Sequence, residues 1–345
     1  MEICPMSNLG ENLEKDMISK QMFAWISGVS SEYEFWRHWL STKGGNYPED
    51  FGNRFSLGRQ LGENIGRHLG SSRRILDVGA GPVSTLGKYF LGESVDLIAI
   101  DPLASMYNDL LNEFELTAET PTILGFAEDL TTQFSPQSFD VIHCSNALDH
   151  SLDPLRALEE MLVICKEQGV VILNHSVNEA EKAGYQGLHQ WNFDVFNGHF
   201  IIWNKHQRVD VNELYGDYAR IEVSCENSWI SVELHPTKTL PLDLSKRHSL
   251  RVHEILGGLV DFAVHHGVHT HVHNIEYQEL MLNKTTQSDH DLEKISSETG
   301  KALYLTEKEA YAIKLMRLGM KRKPIRLLVR GAWRVLIPLL NRQLS

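Results

Sequence analysis

The chain has 345 residues, with 33 Lys and Arg against 45 Asp and Glu and a formal net charge of −12. That length supports a sizeable core, in one large domain or one domain with additions, and the acidic balance disfavours nucleic acid as a partner. No run of about 18 uncharged apolar residues predicts a spanning helix, no basic-then-apolar start predicts export, and Cys4, Cys144, Cys165 and Cys225 lack paired or metal-type spacing, as fits reduced thiols in a cytoplasm.

Residues 1–70 read as helical, with little strand character. Glu34-Phe35-Trp36-Arg37-His38-Trp39-Leu40 spaces its aromatics as a helix would, and Gly44-Gly45 stops it. Trp36 and Trp39 suit either core anchoring or the lining of a substrate mouth. A further helix is expected over 57–69. The run Ile75-Leu76-Asp77-Val78 then has the length and β-branched character of a buried strand. It breaks at Gly79-Ala80-Gly81-Pro82, where missing side chains permit unusual backbone angles and close approach to a ligand. Ser84 or Thr85 would cap a helix whose free N–H groups face the same crevice. Strand, glycine turn and helix together open a doubly wound nucleotide-binding sheet.

Val95-Asp96-Leu97-Ile98-Ala99-Ile100 is a second buried strand and ends in Asp101-Pro102. An acid at that tip can accept hydrogen bonds from both hydroxyls of a ribose. Thr122-Ile123-Leu124-Gly125 and Phe139-Asp140-Val141-Ile142-His143-Cys144-Ser145-Asn146 supply further strands, the latter running into 147–154, ALDHSLDP. A helix over 154–166 precedes strand Val170-Val171-Ile172-Leu173. Late strands at 200–204, 220–223 and 229–232 would close the sheet with an antiparallel edge hairpin.

These motifs resemble class I S-adenosylmethionine-dependent methyltransferases over roughly 34–235. DVGAGPV (77–83) is similar to their D/E-x-G-x-G-x-G motif, with Val83 in place of the third glycine. G-x-G-x-x-G dehydrogenases would need a small residue where Ser84 stands. Segment 34–55 is similar to the N-terminal lid of a bacterial type 11 family, and 139–154 to its strand-four motif. NHSVNEAEKAGYQGLHQWNF (174–193) resembles a signature of type 11 enzymes from surface-glycan gene clusters.

The resemblance implies an α/β, Rossmann-like seven-stranded methyltransferase sheet with a helical N-terminal lid and a C-terminal extension. The chain then divides into a cap at 1–70, a core at 71–235, an additional segment at 236–300 that the resemblance does not account for, and a basic tail at 301–345. It implies S-adenosylmethionine as cofactor, held by Asp77, Gly79, Ala80, Gly81, Asp101, Pro102, Ala127, Glu128, Ser145 and Asn146. In the family, an acid usually stands where Phe126 does, so the adenine contacts pass to Ala127 and Glu128.

Transfer to a hydroxyl needs alignment, exclusion of water and removal of a proton, a task suited to histidine. The candidates are His175, directly after strand five, then His189 and His150; each also fits a structural role. Tyr185, Trp191, Asn192 and Glu179 are the acceptor contacts, since aromatic faces and amides suit sugars. The expected reaction is O-methylation of a glycan precursor or polyhydroxylated metabolite. Methylation of a soluble natural-product intermediate and a non-catalytic scaffold remain alternatives.

Outside the core, His265, His266, His269, His271 and His273 tempt a metal reading, but no carboxylate or cysteine completes a site, and no metal is expected. From Lys314 onward there are nine Lys or Arg and no Asp or Glu. Within this tail, Lys321–Arg342 places Arg326, Arg330 and Arg334 opposite an apolar arc, a pattern that rests on an anionic membrane surface or packs as a terminal helix or dimer contact. The expected location is the cytoplasm, including the inner face of the membrane.

Overall fold

A computed structural model describes Trp25, Gly28, Val29 and residues 31–242. The additional segment beyond 242, its histidine row and the basic tail lie outside the described residues. Helix α1 covers 31–41, and α2 (Pro48–Arg54) follows the Gly44-Gly45 stop. Trp39 of α1 is buried, whereas Trp36 is half-buried.

The expected helix over 57–69 forms only one turn, α3 (Glu63–Gly66). Its upstream part is extended: Leu61 N–H donates to the Tyr89 carbonyl at 2.6 Å, and Gln60 bridges to Tyr89. That pairing also cancels the helix expected after the glycine turn. Residues 82–88 run as turns, followed by a small hairpin of β2 (Tyr89–Phe90) and β3 (Glu93–Ser94). Ser84 caps nothing. Its hydroxyl donates to Asp77 Oδ2 at 2.6 Å and accepts from Leu86 N–H at 3.0 Å, a local bond that competes with helix initiation. Gly87 lets the strand-like backbone lie against 59–60, since a Cβ there would stand 2.3 Å from the Gln60 carbonyl.

Among the described residues the main sheet has seven strands. In chain order these are β1 (Arg74–Val78), β4 (Asp96–Asp101), β5 (Thr122–Leu124), β6 (Phe139–Ser145), β7 (Cys165–Ser176), β11 (Ala219–Glu226) and β12 (Trp229–Pro236). Their spatial order is β11-β12-β7-β6-β1-β4-β5. The five strands from β5 to β7 are parallel; β12 pairs antiparallel with β7 and with β11, so the expected edge hairpin forms. This is a Rossmann-like sheet with an antiparallel edge hairpin. Strand 200–204 does not join it. It is β9 (His199–Trp203) of a separate antiparallel sheet with β8 (Asn192–Phe196) and β10 (Arg208–Asp210).

Parallel strands must be covered on both faces, which explains their near-continuous apolar sequences. One face packs Leu76, Ile142 and Leu173 with Leu158 and Met161 of α5 (Pro154–Ile164), each fully buried Leu contributing about 1.5–3 kcal/mol. Asp153 caps α5 by accepting from Leu155 and Arg156 N–H. The opposite face packs Ile75, Val141 and Ile172 under Leu61, Ile65 and Phe90. The reversal of strand order falls between β1 and β6, with β1 leading to β4 on one side and β6 to β7 on the other. Ligands of such sheets bind beyond the carboxyl ends at that point.

Candidate active site

A cavity of about 400 Å3 opens there, lined by Gly79, Ala80 and Gly81 from the β1 turn, Asp101 and Pro102 from the β4 tip, and Ser145 and Asn146 from the β6 tip. Both glycines adopt left-handed backbone, with φ of 69° and 64°. A Cβ on Gly79 would stand 2.3 Å from Ala147 Cβ, and one on Gly81 2.9 Å from Trp36 Cζ2, so packing leaves no room for a side chain at either position of the turn.

Asp101 is nearly buried. Its Oδ1 accepts from Leu103 N–H at 2.8 Å and its Oδ2 from Gly81 N–H at 3.1 Å, which aims the carboxylate at the glycine turn. Burial pushes this carboxyl up to about 7, against the pull of those two N–H groups and with help from Glu32 and Asp77. Each oxygen retains a lone pair for a hydroxyl donor. The bare turn, the aimed carboxylate and the crevice fit a nucleoside-bearing cofactor.

Asp77 is placed differently from expectation. It does not line the cavity but lies beneath the turn, 2 % exposed, with Oδ2 taken by Ser84 and Oδ1 by His143 Nδ1 at 2.7 Å. Its work is to hold the turn from below. Ala127 and Glu128 line the cavity, but the Glu128 carboxylate turns away to accept from Leu152 N–H at 2.7 Å and Asp153 N–H at 3.3 Å. Burial raises its pKa to about 7. Phe126 lines the cavity as an apolar wall.

The three candidate histidines separate. His175 is 1 % exposed, packs on the Phe193 ring, and neither ring nitrogen finds a partner among the described residues. Burial pushes it down to about 4. It lies in the core, off the cavity, and is not the base. His150 and His189 both line the cavity. Their nitrogens approach Asp149 Oδ2: His189 Nδ1 at 2.7 Å and His150 Nε2 at 3.6 Å, with 3.1 Å between the two imidazoles. Burial disfavours charge on the His189 ring, but the Asp149 carboxylate outweighs it and raises its pKa.

Of the expected acceptor contacts, only Glu179, on the short helix α6 (Glu179–Lys182), lines the cavity. Trp191 and Asn192 are in the core. Trp191 Nε1 donates to the Ser151 carbonyl at 3.1 Å, and Asn192 Oδ1 accepts from Glu181 N–H at 2.7 Å. Tyr185 receives a hydrogen bond from Asn192 at 2.9 Å, beside Lys205, outside the cavity. The signature's aromatic and amide residues therefore brace the loop that delivers His189.

Lid residues complete the enclosure in ways a linear reading missed. Trp25 Nε1 donates to the His150 carbonyl at 2.8 Å, and Gly28 lies on the Gly187 backbone, where a Cβ would stand 2.4 Å from the carbonyl carbon. Glu32, Phe35, Trp36 and Arg54 close the cavity from the lid, and Tyr107 does so from α4 (Ala104–Glu113). Arg54 donates to the Val83 carbonyl at 3.0 Å and sits over the Trp36 and Trp39 rings. Glu32 receives the Trp36 indole N–H at 2.7 Å.

Residues 51–216 match the family described as Methyltransferase domain. No curated protein matches the chain. Solved structures similar to it include the PH0226 protein of Pyrococcus horikoshii OT3 (15 % identity, 47 % of this chain and 81 % of that one, TM-score 0.30). A SAM-dependent methyltransferase of Aquifex aeolicus shares 16 % identity over 48 % of this chain and 83 % of that one (TM-score 0.31). The trans-methyltransferase CalH complexed with SAH shares 14 % over 50 % and 52 % (TM-score 0.31). These likenesses are weak and add nothing to the family match. That match, over just under half of the chain, and the cavity support a methyltransferase domain, with S-adenosylmethionine as its cofactor.

Proposed function

We propose that the chain methylates a hydroxyl of a sugar, glycan precursor or related polyhydroxylated metabolite. One observation carries the reading: a single cavity joins the Gly79–Gly81 turn and Asp101 to His150 and His189, with Glu32 and Glu179 on its walls. The cofactor supplies an electrophilic methyl group when bound. Asp101 and the bare turn hold the adenosyl part, and Ser145 and Asn146 face the amino-acid part. His150 and His189, backed by Asp149, form the polar end, where an unprotonated imidazole nitrogen takes the proton that the acceptor hydroxyl gives up on methylation. Glu32 and Glu179 accept further acceptor hydroxyls, and Trp25, Phe35 and Trp36 exclude water.

The likeness of 174–193 to a surface-glycan signature supports the acceptor class. The basic pattern of Lys321–Arg342 supports a lipid-linked acceptor at the cytoplasmic membrane face, which liposome flotation of the full chain against one ending at Met320 would test. The function itself is tested by calorimetry with S-adenosylhomocysteine, followed by a screen of sugar nucleotides and lipid-linked oligosaccharides with labelled methyl donor. Absence of S-adenosylhomocysteine binding refutes the reading in favour of a scaffold. Transfer only to an amine or to a soluble aglycone refutes the acceptor class.

A further inference from the structure

One proton on His189 Nδ1 cannot serve both of its contacts, with Asp149 and with His150. Asp149 Oδ2 and His189 Nδ1 lie 2.7 Å apart, and His189 Nδ1 and His150 Nε2 lie 3.1 Å apart. If His189 Nδ1 carries the proton and donates to Asp149, its N–H cannot also point at His150. If His150 Nε2–H donates to His189 instead, a bare ring nitrogen faces the carboxylate. If both nitrogens carry protons, two N–H groups oppose each other. A cation accepts all three lone pairs at once.

The geometry suits one. The three atoms are 2.7, 3.1 and 3.6 Å apart, close to the separation of about 3.3 Å for ligands that sit about 2.0–2.1 Å from a tetrahedral zinc ion. A second observation is independent of these contacts. Asp149 is 1 % exposed, and its other oxygen, Oδ1, has no hydrogen-bond partner among the described residues. A buried carboxylate left half-satisfied is costly unless a charge is placed against it. Two imidazoles and one carboxylate are the donor set of first-row transition ions, with coordination positions left open. Those positions face the cavity, because His150 and His189 line it.

We propose that Asp149, His150 and His189 bind a divalent first-row metal ion, whose open positions take oxygen atoms of the acceptor. The proposal rests on the methyltransferase reading for the identity of that acceptor. An acceptor with two neighbouring oxygens, such as a vicinal diol, fits best because it chelates. The ligands lie 39 residues apart between His150 and His189, a separation that no local spacing rule detects.

The test uses the full chain, freed of metal by chelator and titrated with Co2+, with visible absorption as the readout. One equivalent should bind with d–d bands of a low-symmetry site, and His150→Ala and His189→Ala should each weaken binding about tenfold or more. Two control variants remove other candidate loci: His235→Ala, from the surface group Glu222, Glu233 and His235, and the triple change His269→Asn, His271→Asn and His273→Asn. Loss of Co2+ binding in either control, with His150→Ala and His189→Ala unaffected, overturns the proposal. S-adenosylhomocysteine calorimetry on the same samples separates the two readings. A chain that binds S-adenosylhomocysteine but no Co2+ overturns the metal site alone. One that binds Co2+ through His150 and His189 but no S-adenosylhomocysteine supports the site and overturns the methyltransferase reading.

Discussion

Cofactor affinity should depend on pH through Asp101. Burial pushes its carboxyl up to about 7, and only the ionised form accepts hydrogen bonds from both hydroxyls of a ribose. Affinity scales with the ionised fraction. With a pKa of about 7, that fraction is about nine-tenths at pH 8 and about one-tenth at pH 6. The apparent Kd for S-adenosylhomocysteine should therefore rise about tenfold on going from pH 8 to pH 6, or about 1.4 kcal/mol. Isothermal calorimetry at pH 6, 7 and 8 reads this directly. His150, His189 and Glu128 also line the cavity, and Glu128 is likewise raised to about 7, so the control is Asp101→Asn, which keeps the size of the side chain and cannot ionise. It should bind more weakly at pH 8 and lose the dependence. A Kd in the unmodified protein that changes less than twofold over this range, or a dependence that survives Asp101→Asn, refutes the argument.

Three further outcomes are expected. His175 has a folded pKa of about 4, below the usual 6.5, so the unfolded state takes up its proton first and stability is lost as pH falls. The loss is about 2 kcal/mol between pH 7 and pH 5. Asp101 and Glu128, raised to about 7, oppose this by losing stability as pH rises, so chemical denaturation must compare the protein with His175→Leu. A stability difference constant with pH would sink the assignment, as would loss of methyl transfer in His175→Leu. Gly79→Ala should abolish S-adenosylhomocysteine binding while keeping the native circular dichroism, because the new Cβ meets Ala147 at 2.3 Å. Adding Ala147→Gly should restore part of the affinity; no rescue would mean that contact is not the cause. Asp77→Ala should cost about 1–3 kcal/mol, since it strands the Ser84 hydroxyl and the His143 ring in the core; a melting temperature unchanged by the substitution would show that the turn does not depend on it.

The local chemistry of the cofactor half was legible in the residue string because each part is short-range. A strand, two glycines and an acid at the next strand's tip lie within 25 residues, from Asp77 to Asp101, and their roles follow from backbone freedom and burial. The same short range misled at Ser84. A good capping residue after a glycine turn predicts a helix, but residues 59–61 pair with Tyr89 and draw that segment straight. A partner about 25 residues upstream leaves no trace in local propensity.

The acceptor half was decided by tertiary structure. The signature at 174–193 marks residues of importance without saying which ones face inward. Packing put Trp191 and Asn192 into the core, sent His175 to the Phe193 ring, and left His189 beside His150. Strand register fixes this: His175 stands opposite Ile230 on a strand covered on both faces, whereas His189 sits on a loop at the strands' carboxyl ends. Sequence alone determined the parallel strands and their bare turn, because those follow from apolar runs and glycines read in order, and the motifs' resemblance to a methyltransferase family implied the cofactor. Which histidines reach the reaction, and what stands behind them, depends on side chains meeting across tens of residues, and only the folded chain brings them together.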